Sequence, residues 1–128
     1  MRVQAIILGI RFAKASCEVK RKLFSTFFST IYGVALWLPS NRCLRKVKVA
    51  HNDCFRAVFN KYGRYSVSAE MVRKNVLTFG ALRRKAILSL YNRLHSIDND
   101  IIKSVLCSDS FFNSRLRHEW KTLLYPTD

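Results

Sequence analysis

Glycine and proline are scarce in this 128-residue chain, which contains four and two of them respectively. Together they amount to about 5% of the residues, whereas roughly 12% is usual. Because short strands joined by tight turns depend on these two residue types, their scarcity favours helices. The sequence therefore predicts an all-α fold, with about five to six amphipathic helices in a small irregular bundle.

Acidic residues are also few, and they are placed unevenly. Residues 1–97 contain 19 Lys and Arg but only Glu18, Asp53 and Glu70 as acidic residues, whereas residues 98–128 contain four basic and five acidic ones. A polymerase or nuclease that uses two metal ions needs clustered carboxylates, and these three are isolated in the sequence. A glycine-rich phosphate loop and a serine nucleophile motif are also lacking. We therefore expect a chain that is not an enzyme and needs no metal or cofactor.

The four cysteines, Cys17, Cys43, Cys54 and Cys107, lie far apart and form no C-x-x-C motif, so a zinc site is not expected. His51 and Cys54 are three residues apart and would share one face of a helix. This pair could supply two metal ligands or a thiol beside a base. Cysteine is among the most buried residue types, and we therefore interpret both side chains as part of the core.

No signal peptide is evident at the start of the sequence. The apolar stretch Ala5–Ile10 covers only six residues, and Arg11 and Lys14 follow it directly. We therefore expect an intracellular protein, nuclear or cytoplasmic, with reduced thiols.

The longest uncharged run, Leu23–Asn41, has the length of a membrane anchor, yet its composition favours another interpretation. Its phenylalanines recur every three or four residues, and serines and threonines occupy the opposite face. This pattern is typical of a buried amphipathic helix. We predict that the helix is capped by Ser16 and ends at Pro39.

The clearest helical pattern runs from Ser40 to about Phe59, with an apolar face and a basic outer face. Further cap signals predict a short helix after Ser66 or Ser68 and a longer one, capped by Thr78, from Phe79 to about His95. Another helix is predicted from Asp98 or Asn99 to Cys107. A last helix follows Asp109 or Ser110, and its inward residues are predicted to be Phe112, Leu116, Trp120 and Leu123. Arg83 interrupts an apolar stripe. Its stem extends past the core edge, or that face meets something other than this chain's core.

A charge of +15 on a chain that is 49% hydrophobic indicates a packed domain with a basic surface. Nucleic acid is the most common partner of such a surface, and an anionic membrane is the second. In the loop Asn60–Ser68, basic residues alternate with tyrosines, as phosphate contacts combined with base stacking would require. The candidate nucleic-acid-binding residues are Arg42, Arg45, Lys46, Arg56, Lys61, Tyr62, Arg64, Tyr65, Arg84 and Lys85.

Three segments carry a resemblance to a known family. They read KVAHNDCFR at 48–56, YSVSAEM at 65–71 and TFGALRRK at 78–85, and Arg93-Leu94 follows them. In order and spacing they resemble the region after the catalytic palm in reverse transcriptases of non-LTR, jockey-like retrotransposons. Members of that family show L-x-V-A-Y-N-x-x-F-R, S-x-S-x-M and P-T-F-x-A-L-x-R-K, followed by an R-L pair. The resemblance spans about residues 11–118. His51, Asn60-Lys61-Tyr62, Leu77 and Arg83 depart from the pattern.

The resemblance implies a fragment of a larger enzyme, corresponding to the thumb-like and linker region that grips nucleic acid beside the palm and fingers. The palm carboxylates of the parent family, an RNA-directed DNA polymerase, would then be lacking. On this basis we expect a single helical domain over residues 1–128, basic over 1–97 and near-neutral over 98–128. We also expect the isolated chain to be marginally stable, because its apolar contacts with the palm would be exposed.

The function favoured by the sequence is non-catalytic, non-specific binding of RNA or DNA through the phosphate backbone, without a small-molecule substrate. The alternative is a small basic helical module that binds an acidic protein. A peripheral membrane protein that uses the phenylalanine-rich helix is the third and less favoured interpretation.

Overall fold

The computed structural model describes residues 1–29, 31, 33–61, 63 and 65–125. Regular structure in these residues is entirely helical, which confirms the all-α prediction, although the number of helices exceeds the predicted five to six. The α-helices are α1 (Arg2–Arg11), α2 (Cys17–Phe28), α3 (Asn41–Phe59), α4 (Val67–Arg73), α5 (Phe79–Ser96), α6 (Asp100–Leu106), α7 (Asp109–Phe112) and α8 (Arg115–Leu124), and one 3-10 helix covers Val34–Leu36.

The described residues divide into two compact units. Unit 1 comprises those of Met1–Tyr32 and Pro39–Leu82, and unit 2 comprises those of Gly33–Leu38 and Arg83–Asp128. The division falls within α5 and does not coincide with the change of charge at residue 97. Within the described ranges, none of the helices combines the length and the apolar character that a membrane crossing requires.

Helix α3 supplies more of the core of unit 1 than any other helix. It has the predicted bounds, and the Ser40 hydroxyl caps it by accepting a hydrogen bond from the Cys43 amide. The buried half of α3 packs its rings against α2, where Phe24 and Phe55 meet edge to face with centroids 5.6 Å apart. The buried core of this unit consists of Ala5, Phe24, Phe28, Cys54, Phe55, Ala57, Val58, Phe59, Val67, Met71 and Val76.

The first helix, α1, was not predicted, and it packs against α3 through its smallest residues. Ala5 and Gly9 are buried, and a Cβ atom added to Gly9 would collide with the carbonyl oxygen of Ala57. Asn60, which ends α3 in the left-handed conformation at φ 51°, donates its side-chain amide to the Gly9 carbonyl. The opposite face of α1 carries exposed apolar side chains, namely Val3, Ile6, Ile7 and Ile10.

Helix α2 is shorter than predicted. Ser16 caps it as expected, accepting a hydrogen bond from the Val19 amide, but the helix ends at Phe28 and not at Pro39. Five residues later Gly33 has a φ of 69°, in the left-handed region that a right-handed helix cannot contain. The β-branched residues that precede it also have weaker helix propensity. The prediction of one helix up to Pro39 is therefore wrong.

The caps of α4 and α6 resolve alternatives that the sequence left open, and the cap of α5 is the predicted one. Ser66 caps α4, and Thr78 accepts a hydrogen bond from the Ala81 amide at the start of α5. Asn99 caps α6. These short-range signals were correct because each depends only on residues within one helical turn.

The predicted last helix is in fact two helices. Ser108 caps α7, and Ser114 caps α8 after a break at Asn113, so the predicted cap at Asp109 or Ser110 is wrong and both residues lie inside α7. Because of this break, the apolar face of α7 does not continue that of α8 as predicted for one helix. Phe112 is exposed, and the neighbouring Phe111 packs in its place. The prediction that Phe112 points inward is therefore wrong, whereas Trp120 is buried as predicted.

Unit 2 is organised around Trp120. Its indole nitrogen donates to the Ala35 carbonyl at 2.7 Å, and its ring lies near Phe111, with centroids 6.1 Å apart. Arg83 is 5% exposed, and its guanidinium contacts the Glu119 carboxylate at 2.9 Å. Arg83 therefore has its own intramolecular partner, 36 residues away, and neither sequence interpretation of this residue was right.

Replacing Gly9 by alanine should destabilise the fold, because the new methyl group would collide with α3 backbone that cannot move independently. We expect Gly9→Ala to lower the free energy of unfolding by about 1–3 kcal/mol, as overpacking usually does. Urea denaturation followed by circular dichroism measures this change.

Gly80→Ala is the matched control, since nothing lies within 4 Å of a Cβ atom at that position of α5. This variant should be neutral or more stable by up to about 1 kcal/mol. Equal effects of the two substitutions would contradict the close packing of α1 on α3.

Candidate nucleic-acid interface

The first turns of α3 carry three cations on the surface of unit 1. Arg42, Arg45 and Lys46 are exposed, and their spacing of three and four residues places them on one side of the helix. None of the three forms an ion pair with another described residue, whereas several other basic residues of unit 1 do. Their charge is therefore available to an external anion.

These three side chains border a shallow groove of about 440 Å³. Arg2 of α1 adds a fourth cation to its lining, and Val49 and Ala50 provide an apolar floor. Asp53 is the one carboxylate among the residues that line it. The groove thus combines an excess of positive charge with apolar surface, which suits a phosphate and its attached sugar.

Asp53 is already engaged by two arginines. Its carboxylate forms ion pairs with Arg2 and, at 3.0 Å, with Nη1 of Arg56. Arg56 is also less exposed than the three cations at the start of α3. The structure therefore separates Arg56 from those free cations, although the sequence places all four on the outer face.

The loop after α3 is described only in part. Lys61 is exposed, whereas Tyr62 and Arg64 lie outside the described residues. Tyr65 is half-buried against the core of unit 1, and its hydroxyl donates to the Lys61 carbonyl at 2.9 Å. Burial also raises the pKa of this phenol. The geometry gives Tyr65 a packing role, and base stacking in this loop stays a prediction.

Arg84 and Lys85 are exposed on α5, as expected. They belong to unit 2, whereas the cations of α3 belong to unit 1. Of the predicted residues, Arg42, Arg45 and Lys46 are the ones that line one groove of unit 1 together.

His51 and Cys54 are both fully buried in unit 1. The imidazole packs against Phe24 and Phe79, with centroids 5.1 and 6.1 Å away, and neither of its nitrogens has a hydrogen-bond partner among the described residues. Burial lowers the pKa of His51 to about 4 and raises the pKa of the Cys54 thiol. The interpretation of both side chains as core residues is confirmed.

The three carboxylates of residues 1–97 are each held by nearby cations. Glu18 lies 4.0 Å from Arg21 and 3.8 Å from Lys22, and Glu70 pairs with Arg73. In the part of the chain that the structure describes, no three His, Cys, Asp or Glu side chains are grouped as a metal site would require.

Sequence reasoning missed two features. The Arg2–Asp53 contact joins residues 51 positions apart, and no local pattern indicates it. A second cleft, of about 490 Å³, lies in unit 2 among basic residues of α8. A local signal for it exists, because Arg115, Arg117, His118 and Lys121 fall within seven residues, but averaging charge over 98–128 concealed it.

Comparison of this chain with protein-family models, with curated proteins and with solved structures finds no match. The resemblance to the post-palm region of reverse transcriptases therefore stays a hypothesis based on the three sequence segments.

Acid should destabilise unit 1 through His51. Its pKa is about 4 when folded and 6.5 ordinarily, so the unfolded chain binds the proton more tightly between these values. The contribution of neutral His51 to stability is complete above pH 6.5 and is lost as pH falls towards 4, where the loss reaches about 3 kcal/mol. Urea midpoints measured from pH 7 to pH 4 test this expectation.

His51→Phe keeps an aromatic ring at this position and removes the titrating group. In this variant the loss of unfolding free energy between pH 6.5 and pH 4 should be smaller by most of the about 3 kcal/mol assigned to His51. An identical pH dependence in both proteins would show that other groups cause the acid sensitivity.

Proposed function

We propose that this chain binds the phosphate backbone of RNA or DNA without sequence preference, through the surface formed by Arg42, Arg45 and Lys46 of α3. The observation that carries the proposal is that these three cations are exposed, adjacent and without carboxylate partners among the described residues. Backbone contacts of this kind position a nucleic acid and carry no sequence information. The binding is consequently electrostatic and depends strongly on salt.

The groove beside these cations supports a strand rather than an isolated ion. Arg2, which is paired with Asp53, extends the polar lining beyond α3, and exposed Val49 provides apolar contact for a sugar or base edge. The resemblance to the post-palm region of non-LTR reverse transcriptases agrees with this proposal, because one of its segments, residues 48–56, lies in α3. We propose that the chain binds nucleic acid as such a region does and does not itself catalyse polymerisation.

Salt dependence tests the proposal directly. Replacing Arg42, Arg45 and Lys46 together by glutamine should weaken binding to a fluorescent RNA or DNA. It should also reduce the slope of log affinity against log salt by about 0.7–0.9 for each phosphate that the variant no longer neutralises. Fluorescence anisotropy titrations at several salt concentrations provide both quantities.

The matched control removes three other exposed cations of unit 1, with Arg11, Lys14 and Lys22 replaced by glutamine. It lowers the net charge equally but should retain most of the slope. Equal reductions of the slope in both triple variants would contradict a site on α3. A complex that excess unrelated RNA fails to displace would favour the protein-interaction alternative.

Polymerase activity should be undetectable. With Mg²⁺ or Mn²⁺, nucleotides and a primed template, we expect no incorporation, because the carboxylates of residues 1–97 are each held in separate ion pairs. A gel-based primer-extension assay measures this. Template-dependent synthesis that persists in a highly purified sample would refute the non-catalytic proposal.

A further inference from the structure

The cleft in unit 2 has a distinct chemical character. Its lining includes Phe112, Arg115, Arg117, His118 and Lys121, and no carboxylate stands among the described residues that line it. Its volume of about 490 Å³ is sufficient for a group of nucleotide size. It lies in the segment that is near-neutral by composition, and its positive charge comes from Arg115, Arg117 and Lys121, which are close together in the sequence.

The acidic residues that the structure describes in this segment lie outside the lining of the cleft. Glu119 pairs with Arg83, and Asp98 pairs with Lys103. Asp100 and Asp109 occupy the first turns of α6 and α7, where a carboxylate stabilises the positive end of a helix. None of Arg115, Arg117 and Lys121 forms an ion pair with a described carboxylate.

An arginine and a phenylalanine form a fixed platform at the edge of the cleft. The guanidinium carbon of Arg117 lies 3.8 Å from the centre of the Phe112 ring, and Nη1 donates to the Phe112 carbonyl at 3.3 Å. Phe112 is nevertheless 61% exposed, so the ring offers surface that the guanidinium does not cover. A cation beside an open aromatic face is the combination that binds a phosphate and stacks an unpaired base.

We propose that this cleft binds a nucleotide unit, with its phosphate among Arg115, His118 and Lys121 and its base on the Phe112–Arg117 platform. The ligand chemistry is a phosphoryl group that carries an unpaired base, whether as a free nucleotide or within a single strand. This site is in unit 2 and shares no residue with the backbone-binding surface of α3. It adds selectivity for unpaired bases, which backbone contacts alone do not give.

Adenosine 5′-monophosphate and inorganic phosphate are suitable probes for the whole chain at low salt. Chemical-shift titration of the backbone amides of Arg115–Lys121 should show both ligands at the cleft. We expect the nucleotide to bind about fivefold or more tightly than phosphate, because the base adds stacking. Equal affinities of the two ligands, or shifts confined to other residues, would overturn the proposal.

Two variants separate the phosphate contact from the stacking contact. Phe112→Leu removes the ring from an exposed position and should reduce nucleotide affinity to that of phosphate, without changing phosphate binding. Arg115→Gln should weaken both ligands several-fold. Arg93→Gln is the matched control, since Arg93 is an exposed arginine of unit 2 that does not line the cleft. If Arg93→Gln weakens both ligands as much as Arg115→Gln does, the cleft is not the site.

Single-stranded and duplex oligonucleotides of the same sequence distinguish the two sources of the ligand. Preference for the single strand that Phe112→Leu abolishes would identify a strand, whereas nucleotide binding without such a preference would identify a free nucleotide. The Arg42, Arg45 and Lys46 triple variant should still bind the nucleotide at the cleft. If only the cleft variants lose nucleotide binding, the cleft and the α3 surface act separately. The cleft proposal and the proposed function of α3 can therefore fail independently.

Discussion

Unit 1 depends on one close approach, in which Gly9 of α1 rests on the α3 backbone at Ala57. No side chain fits between the two helices at this point, so a hydrogen atom is the largest group that the packing accepts. The Asn60 amide closes the same contact by donating to the Gly9 carbonyl. Because α1 is held there, its first residue, Arg2, is placed beside Asp53 and becomes part of the basic groove.

The pairing of charges decides which basic residues can serve an external ligand. Arg56 and Arg83 are both held by carboxylates of their own unit, and Lys20 is buried with its ammonium donating to the Ala13 carbonyl. Among the described cations without a carboxylate partner, three lie together at the start of α3 and three around the α8 cleft, while others, such as Arg11, Lys14 and Arg93, are exposed elsewhere. Part of the net charge of +15 thus lies on two local surfaces with different chemistry, of which the one in unit 2 also includes an aromatic ring.

Elements whose signals lie within one turn could be predicted from the sequence. Helix α3 and the caps Ser40, Thr78 and Asn99 are such cases, as is the exposure of the α3 cations. Helix α1 could not be predicted from its periodicity, because its isoleucines face outward and its small residues face the core. The ion pairs of Arg2 and Arg83 join distant residues, so only the tertiary fold brings the partners together.

The double ion pair at Asp53 affects the salt dependence that would be measured for binding to the groove. The carboxylate of Asp53 already neutralises the guanidinium of Arg2. A phosphate that bound Arg2 would displace this carboxylate and would release no mobile counterion. A contact between a strand and Arg2 would then be nearly silent in a salt titration. The number of phosphates counted from salt dependence would consequently understate the true footprint of the groove.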